Sequence, residues 1–73
     1  MPELPIISGD EVIRVLKRLG FYEVRQKGSH VVMRREHKGC VIPRHKEVAV
    51  GTLKSALKQA GISSDIFIEA FKK

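Results

Sequence analysis

The chain has 73 residues, 42% of them hydrophobic, with 14 lysines and arginines against 8 aspartates and glutamates. This length predicts one domain over residues 1–73 and excludes an enzyme that needs a separate cofactor domain. The apolar content excludes a disordered basic tail, and no apolar run approaches the roughly 20 residues of a membrane span. The formal net charge of +6 favours a polyanionic partner.

The first predicted element is a helix that begins at Ser8. Ser8 and Glu11 have the spacing of a capping box, in which the side chain of each residue accepts a hydrogen bond from the backbone amide of the other. An apolar stripe at i, i+3, i+4 and i+7 follows, made of Val12, Val15, Leu16 and Leu19. Gly20 then fits the position just after a helix end.

Three short strands are predicted next, because the apolar period changes after Phe21. They run from Tyr22 to Lys27, from His30 to Arg35 and from Cys40 to Ile42, with turns at Gly28-Ser29 and at Glu36–Gly39. Pro43 marks a strand edge or end, since it cannot donate a ladder hydrogen bond. Short loops between successive strands predict an antiparallel meander.

The faces of the second predicted strand differ in character. Val31 and Met33 form the core pair, which leaves His30, Val32 and Arg34 together on the uncovered face.

The last third of the chain predicts two helices. The first opens at Gly51-Thr52 and ends at Gly61, with an apolar stripe of Leu53, Ala56, Leu57 and Ala60. The second is capped by Ser63 or Ser64, and its apolar face consists of Ile66, Phe67, Ala70 and Phe71. The predicted fold is α+β, in the order α-β-β-β-α-α, with a three-stranded antiparallel sheet covered by helices on one face.

The positive charge is concentrated in the middle of the chain. Residues 25–46 contain seven basic side chains and a single acid, Glu36: Arg25, Lys27, Arg34, Arg35, Lys38, Arg44 and Lys46. All three histidines, His30, His37 and His45, lie in the same segment. Such concentration is typical of a surface that faces nucleic acid, although a merely solvated basic face has the same composition.

His30 is the leading candidate for chemistry. It follows Gly28-Ser29, where the backbone can approach a ligand, and an imidazole gives or takes a proton near neutral pH. Beside an RNA phosphate it could deprotonate the ribose 2′-hydroxyl, while Lys or Arg stabilises the charge that develops on phosphorus oxygens. The alternative is a histidine that only hydrogen-bonds at a strand end.

The other histidines and the cysteine carry weaker signals. His45 fits a phosphate contact, a second acid/base group or an idle loop residue, whereas we expect His37 to be solvent-exposed. The order His30, His37, Cys40, His45 has no zinc-finger spacing, so we expect no metal. Cys40 is expected to pack as a small hydrophobe, and it cannot close an internal disulfide, which favours a cytoplasmic location. The amino terminus has no signal-peptide pattern.

Aromatic residues give no sign of a platform for single-stranded RNA. Tyr22 and the three phenylalanines suit core positions better than base stacking, since none interrupts the basic stretch after Arg25.

With these residues in hand, the chain resembles the HicA (YcfA-like) toxin family of bacteria and archaea. The resemblance runs from Ser8 to about Phe67 and rests on four motifs in order. They are Ser8-Gly9-Asp10-Glu11-Val12-Ile13 with Leu16-Lys17-Arg18-Leu19-Gly20-Phe21, then Gly28-Ser29-His30, then Ile42-Pro43-Arg44-His45, and a closing run from Gly51 to Ile62. Val31 and Ala56 depart from the usual pattern, in which a polar residue and an isoleucine are common.

The resemblance implies a fold like that of double-stranded-RNA-binding domains and a metal-independent ribonuclease that cleaves mRNA and arrests translation. It implies His30 as the catalytic residue, without a cofactor, and a HicB-like antitoxin as partner of a free toxin expected to be monomeric. The expected RNA contacts are Lys27, Gly28, Ser29, Arg34, Arg44, His45 and Lys46. A non-catalytic RNA-binding module that uses its helical face, and a pure protein-interaction subunit, stay open as alternatives.

Overall fold

The computed structural model describes residues 3–73. The elements are α1 (Gly9–Arg18), β1 (Tyr22–Lys27), β2 (His30–Arg35), β3 (Lys38–Pro43), α2 (Val50–Ala60) and α3 (Ser64–Lys72). This α+β order and the single antiparallel sheet, with β2 between β1 and β3, confirm the predicted architecture. Within residues 3–73, every helix is too short or too polar to cross a lipid bilayer.

Helix α1 begins as the capping box predicts. The Ser8 hydroxyl oxygen accepts a hydrogen bond from the Glu11 amide at 3.1 Å, and acidic Asp10 and Glu11 lie in the positive first turn. The stripe residues Val12, Val15 and Leu16 are fully buried, whereas Leu19 is only partly buried. Ile13, which the stripe did not include, is buried as well.

Both hairpin turns contain two residues. Gly28 takes a φ of 61° at the first turn position, where residues with a Cβ are disfavoured. The second turn consists of Glu36 and His37 alone, because the ladder continues through the pair Arg35–Lys38. β3 therefore begins at Lys38, and the predicted four-residue turn with a strand starting at Cys40 was wrong.

A β-bulge interrupts the pairing of β1 with β2. Glu23 pairs with Met33, but the next partner along β1 is Arg25, which pairs with Val32, so Val24 is an extra residue. Simple alternation of side chains along β1 therefore ends at this point. The bulge shifts the face of each later residue and places Arg25 and Lys27 on the same face as Tyr22.

The two faces of the sheet have different surroundings. Val31, Met33, Cys40 and Ile42 point to the helices and are buried in one core with residues of all three helices, including Leu16, Leu53 and Phe67. The opposite face, which we call the open face, is not covered by a helix. Tyr22 lies there with 54% of its surface exposed, so its predicted core position was wrong, whereas Phe21 and Phe67 are buried as predicted.

The carboxyl-terminal helices differ from the sequence prediction at two places, the start of α2 and the exposure of Ile66, and they decide between the two caps predicted for α3. α2 begins at Val50 after Ala49, one residue before Gly51-Thr52, and no side chain caps it. Ser63 rather than Ser64 caps α3, where its hydroxyl oxygen accepts a hydrogen bond from the Ile66 amide. Ile66 itself is about half exposed, so it is not part of the buried face formed by Phe67 and Ala70.

Candidate functional site

His30 lies at the first position of β2, directly after the Gly28-Ser29 turn, and its side chain is exposed. In the central strand it has a partner on each side, Lys27 of β1 and Pro43 of β3. Side chains of directly paired residues project to the same face of a sheet, so Lys27 and His30 share the open face. The sequence predicted this arrangement for β2, and the register extends it to the neighbouring strands.

The open face combines cations with exposed apolar side chains. By register it carries Tyr22, Arg25 and Lys27 from β1, His30, Val32 and Arg34 from β2, and Gly39, Val41 and Pro43 from β3. Arg25 was not among the predicted site residues. Its place follows from the bulge at Val24, which no local pattern in the sequence indicates.

The second histidine comes close to the first. The ring centroids of His30 and His45 are 6.5 Å apart, and the ring planes meet at 68°, an edge-to-face arrangement. His45 lies between β3 and α2, in residues 44–48, which we call the 44–48 loop, and its side chain is exposed. Of the three histidines, this pair is therefore brought together from positions 15 residues apart in the sequence.

Backbone hydrogen bonds hold the 44–48 loop at three points. The Arg44 amide donates to the Ser29 carbonyl at 2.6 Å, and the Val48 amide donates to the Ile7 carbonyl at 2.8 Å. The Gly9 amide donates to the His45 carbonyl at 2.9 Å, which satisfies a free N–H in the first turn of α1. The loop is thus tied to the His30 turn and to the start of α1.

Gly9 makes this contact between α1 and the 44–48 loop possible. A Cβ built at position 9 would lie 2.0 Å from the Pro43 carbonyl oxygen and 2.8 Å from the Arg44 Cα. Both atoms belong to the backbone, so neither can move aside as a flexible side chain could. Glycine in the Ser8-Gly9-Asp10 motif is therefore required by the close approach of two backbone segments.

The Arg44 guanidinium is bound by side chains of α1 and β1. Its Nε donates to Asp10 Oδ1 at 2.6 Å, and its Nη1 donates to Gln26 Oε1 at 2.5 Å. Nη2 lies 3.5 Å from the Glu23 carboxylate. This side chain joins α1, β1 and the 44–48 loop, so its predicted contact with RNA stays a prediction while the structure gives it a positioning role.

Other cations of the basic segment also stabilise the fold. Arg35 donates from Nη1 to the Leu19 carbonyl at 2.7 Å, and its guanidinium carbon lies 4.9 Å from the centre of the Phe21 ring. Its partner in the ladder, Lys38, extends along Gly61 after α2. The charge of Arg35 is therefore held by contacts within the fold.

Four of the seven predicted RNA-contact residues lie around His30. Lys27, Gly28, Ser29 and His45 surround His30, and a Cβ at Gly28 would meet nothing within 4 Å, so this turn is open to a ligand. Arg34 lies on the same face at the other end of β2, opposite Gly39. Lys46 is exposed in the 44–48 loop.

Cys40 and His37 are separated from the histidine pair. Cys40 is 3% exposed on the covered face, as predicted, and burial raises the pKa of its thiol to about 11. His37 lies in the turn at the opposite end of β2 and is exposed. Within residues 3–73, the structure brings together no group of three side chains of the types that bind metal ions.

A comparison with protein families gives one match. The family model described as HicA toxin of bacterial toxin-antitoxin matches residues 9–62, a range that includes α1, the whole sheet, the 44–48 loop and α2. A search of the curated proteins found no match.

Proposed function

Because the chain belongs to the HicA toxin family, we propose that it is an endoribonuclease that cleaves mRNA, arrests translation and is neutralised by a HicB-like antitoxin. The observation that supports this most is the position of His30, exposed on the open face and paired with Lys27 inside the matched region. A substrate of this kind would place the activity in the cytoplasm.

The proposed reaction starts with proton removal by His30. Its imidazole accepts the proton of a ribose 2′-hydroxyl, and the resulting oxygen attacks the adjacent phosphorus. An open face suits this chemistry, because the RNA backbone is long and a flat surface lets it pass on both sides of the reacting phosphate. No metal is needed for these steps, since imidazole moves the proton and nearby cations stabilise the charge.

Cations on the open face supply the electrostatic part of the mechanism. Lys27 lies opposite His30 and would contact the oxygens of the reacting phosphate, where negative charge grows during attack. Arg25 and Arg34 lie further along the same face and would contact neighbouring phosphates. Gly28 and Ser29 let the RNA backbone approach the turn closely.

The same face suits the proposed antitoxin. Tyr22 and Val41 are 54% and 43% exposed, and together with Val32 they form an apolar strip between the cations. A partner that covers this strip and presents acidic groups to Lys27 and Arg34 would hide His30 from RNA. Neutralisation would then need only one interface, on the face that carries the reaction.

Purified protein provides the test, with His37→Ala as a matched control because His37 is an exposed histidine at the other end of β2. Incubated with RNA in EDTA, wild type and His37→Ala are expected to cleave at similar rates. His30→Ala is expected to be slower by roughly 10²–10⁴-fold, the usual contribution of a general acid or base. In cells, the same variant should permit growth while the control arrests it.

Two outcomes would contradict the proposal. Salt-sensitive binding that leaves RNA intact would favour the non-catalytic RNA-binding module. Equal cleavage by wild type and His30→Ala would exclude His30 as the catalytic residue.

A further inference from the structure

We propose that His45 is the second proton-transfer group of this site, the acid that protonates the leaving 5′-oxygen of the cleaved RNA. This inference rests on the proposed ribonuclease function, in which His30 is the base. The sequence left open whether His45 is a phosphate contact, a second acid/base group or an idle loop residue. The first two roles differ in chemistry, because a contact needs only positive charge whereas an acid must transfer its proton during the reaction.

The distance between the rings fits two groups that act on one phosphate. With centroids 6.5 Å apart, each imidazole can reach a different oxygen of a phosphodiester that lies beside the line joining them. Hydrogen bonds of about 2.6–3.2 Å on each side are sufficient for proton transfer. Within residues 3–73, neither ring takes part in a side-chain hydrogen bond or ion pair, so both are available to a substrate.

The backbone fixes this distance rather than leaving it to a mobile loop. The Arg44 amide donates to Ser29, so one hydrogen bond of 2.6 Å joins the neighbour of His45 to the neighbour of His30. Pro43 pairs with His30 in the ladder, and the His45 carbonyl is held by Gly9. A catalytic site needs such support, since a displacement of a catalytic group by about 1 Å can strongly lower the reaction rate.

Arg44 adds a side-chain anchor to the same loop. Its guanidinium bonds to Asp10 of α1 and Gln26 of β1, one residue before Lys27. We therefore assign Arg44 as a positioning residue for His45, because its guanidinium is held by acidic and amide side chains of α1 and β1.

The reaction balances with the two histidines alone. The 2′-oxygen forms a bond to phosphorus while neutral His30 takes its proton. The bond from phosphorus to the 5′-oxygen breaks, and protonated His45 gives its proton to that oxygen. The products are a 2′,3′-cyclic phosphate and a free 5′-hydroxyl. His30 ends protonated and His45 neutral, and proton exchange with water restores both.

A sulfur substitution in the substrate separates the two roles. The probes are a short RNA that wild type cuts at one position and the same RNA with sulfur in place of the bridging 5′-oxygen there. A thiolate leaves without protonation, so the sulfur RNA does not need an acid. His45→Ala is expected to slow the oxygen RNA by roughly 10²–10⁴-fold and to cleave the sulfur RNA nearly as fast as wild type. His30→Ala is expected to cleave neither the oxygen RNA nor the sulfur RNA at an appreciable rate, because both reactions need the base.

Variants and controls make each outcome decisive. His45→Lys keeps a positive charge but is a poor acid at neutral pH; it should behave like His45→Ala, and thermal unfolding checks that both variants fold. Equal loss on both RNAs in the folded His45 variants, or full activity of His45→Lys on the oxygen RNA, would overturn the assignment and leave a phosphate contact. Unchanged cleavage by His30→Ala, or no cleavage by wild type, would instead contradict the proposed function itself.

Discussion

The two faces of the central strand β2 differ in burial, although alternate residues of one six-residue segment form them. Val31 and Met33 are completely buried on the covered face, while His30 and Arg34 are exposed on the open face. The covered face has lost its contact with water and so contributes stability. The open face keeps its polar groups available, which is what a site for a polyanion requires. In this chain of 73 residues, strand alternation thus separates stability from the proposed chemistry at a spacing of one residue.

Truncation on each face should give the largest contrast in stability. Met33→Ala removes a fully buried side chain, and we expect it to lower the free energy of unfolding by about 2–5 kcal/mol. Val41→Ala removes an exposed side chain of the open face, and we expect a change within about 0.5 kcal/mol. Urea unfolding followed by circular dichroism measures both. Similar losses for the two variants would show that the open face is also part of the core.

A methyl group at position 9 should lower both the stability of the fold and the rate of the proposed RNA cleavage. Gly9→Ala places a Cβ against the Pro43 carbonyl, so we expect a loss of about 1–3 kcal/mol, as for overpacking, and slower RNA cleavage because His45 moves. Gly51→Ala is the matched control, since a Cβ there meets nothing within 4 Å and alanine favours a helix. Full stability and activity of Gly9→Ala would mean that the 44–48 loop does not depend on this contact.

The buried thiol of Cys40 gives the covered face a pH dependence. Burial raises the pKa of this thiol from 9.0 to about 11, so between these values the unfolded chain binds fewer protons than the folded protein. The part of the free energy of unfolding that depends on this thiol is therefore fully present below pH 9. It is lost as the pH rises toward 11, which lowers the free energy of unfolding by roughly 2–3 kcal/mol. We expect Cys40→Ala to lack this part of the decrease, and the native thiol to resist alkylation at pH 8. Rapid alkylation of the folded protein would contradict its burial.

Removal of a single positive charge should have a smaller effect, and the property that changes should depend on whether the side chain lies on the open face or is bound within the fold. In a His30→Ala background, in which we expect RNA to stay intact during the measurement, Lys27→Gln is expected to weaken RNA binding and to reduce the slope of log K against log salt by about 1. Arg35→Gln removes an equal charge, but that guanidinium is bound to the Leu19 carbonyl, so we expect unchanged RNA affinity and about 1 kcal/mol less stability. If the two variants bind RNA equally weakly, net charge rather than the open face determines affinity.

Local patterns were sufficient for much of this organisation. The Ser8 cap, the stripe through Val12 and Leu16 and the core pair Val31 and Met33 follow from periods that each element imposes on its own residues. The bulge at Val24 could not be predicted in this way, because it depends on which residue of β2 pairs with each residue of β1. The exposure of Tyr22 follows from the same register, and an aromatic residue in a strand is usually a sign of burial.

The residues around His30 could be predicted from the sequence more readily than the contacts between them. Gly28, Ser29 and His30 are contiguous, so the turn and its histidine were predictable. The approach of His45 to His30 depends on amide hydrogen bonds from Arg44 and Gly9, which carry no side-chain signature. Arg44 was indistinguishable from the other cations until its partners Asp10 and Gln26 were in place.

The most direct test of the division between the two faces is RNA cleavage by His30→Ala and Met33→Ala, measured on folded protein at a temperature where both variants remain native. The proposed account predicts that Met33→Ala cleaves at nearly the wild-type rate despite its lower stability, while His30→Ala retains stability and loses roughly 10²–10⁴-fold in rate. A fully active His30→Ala, or a folded Met33→Ala that is as inactive as His30→Ala, would contradict it.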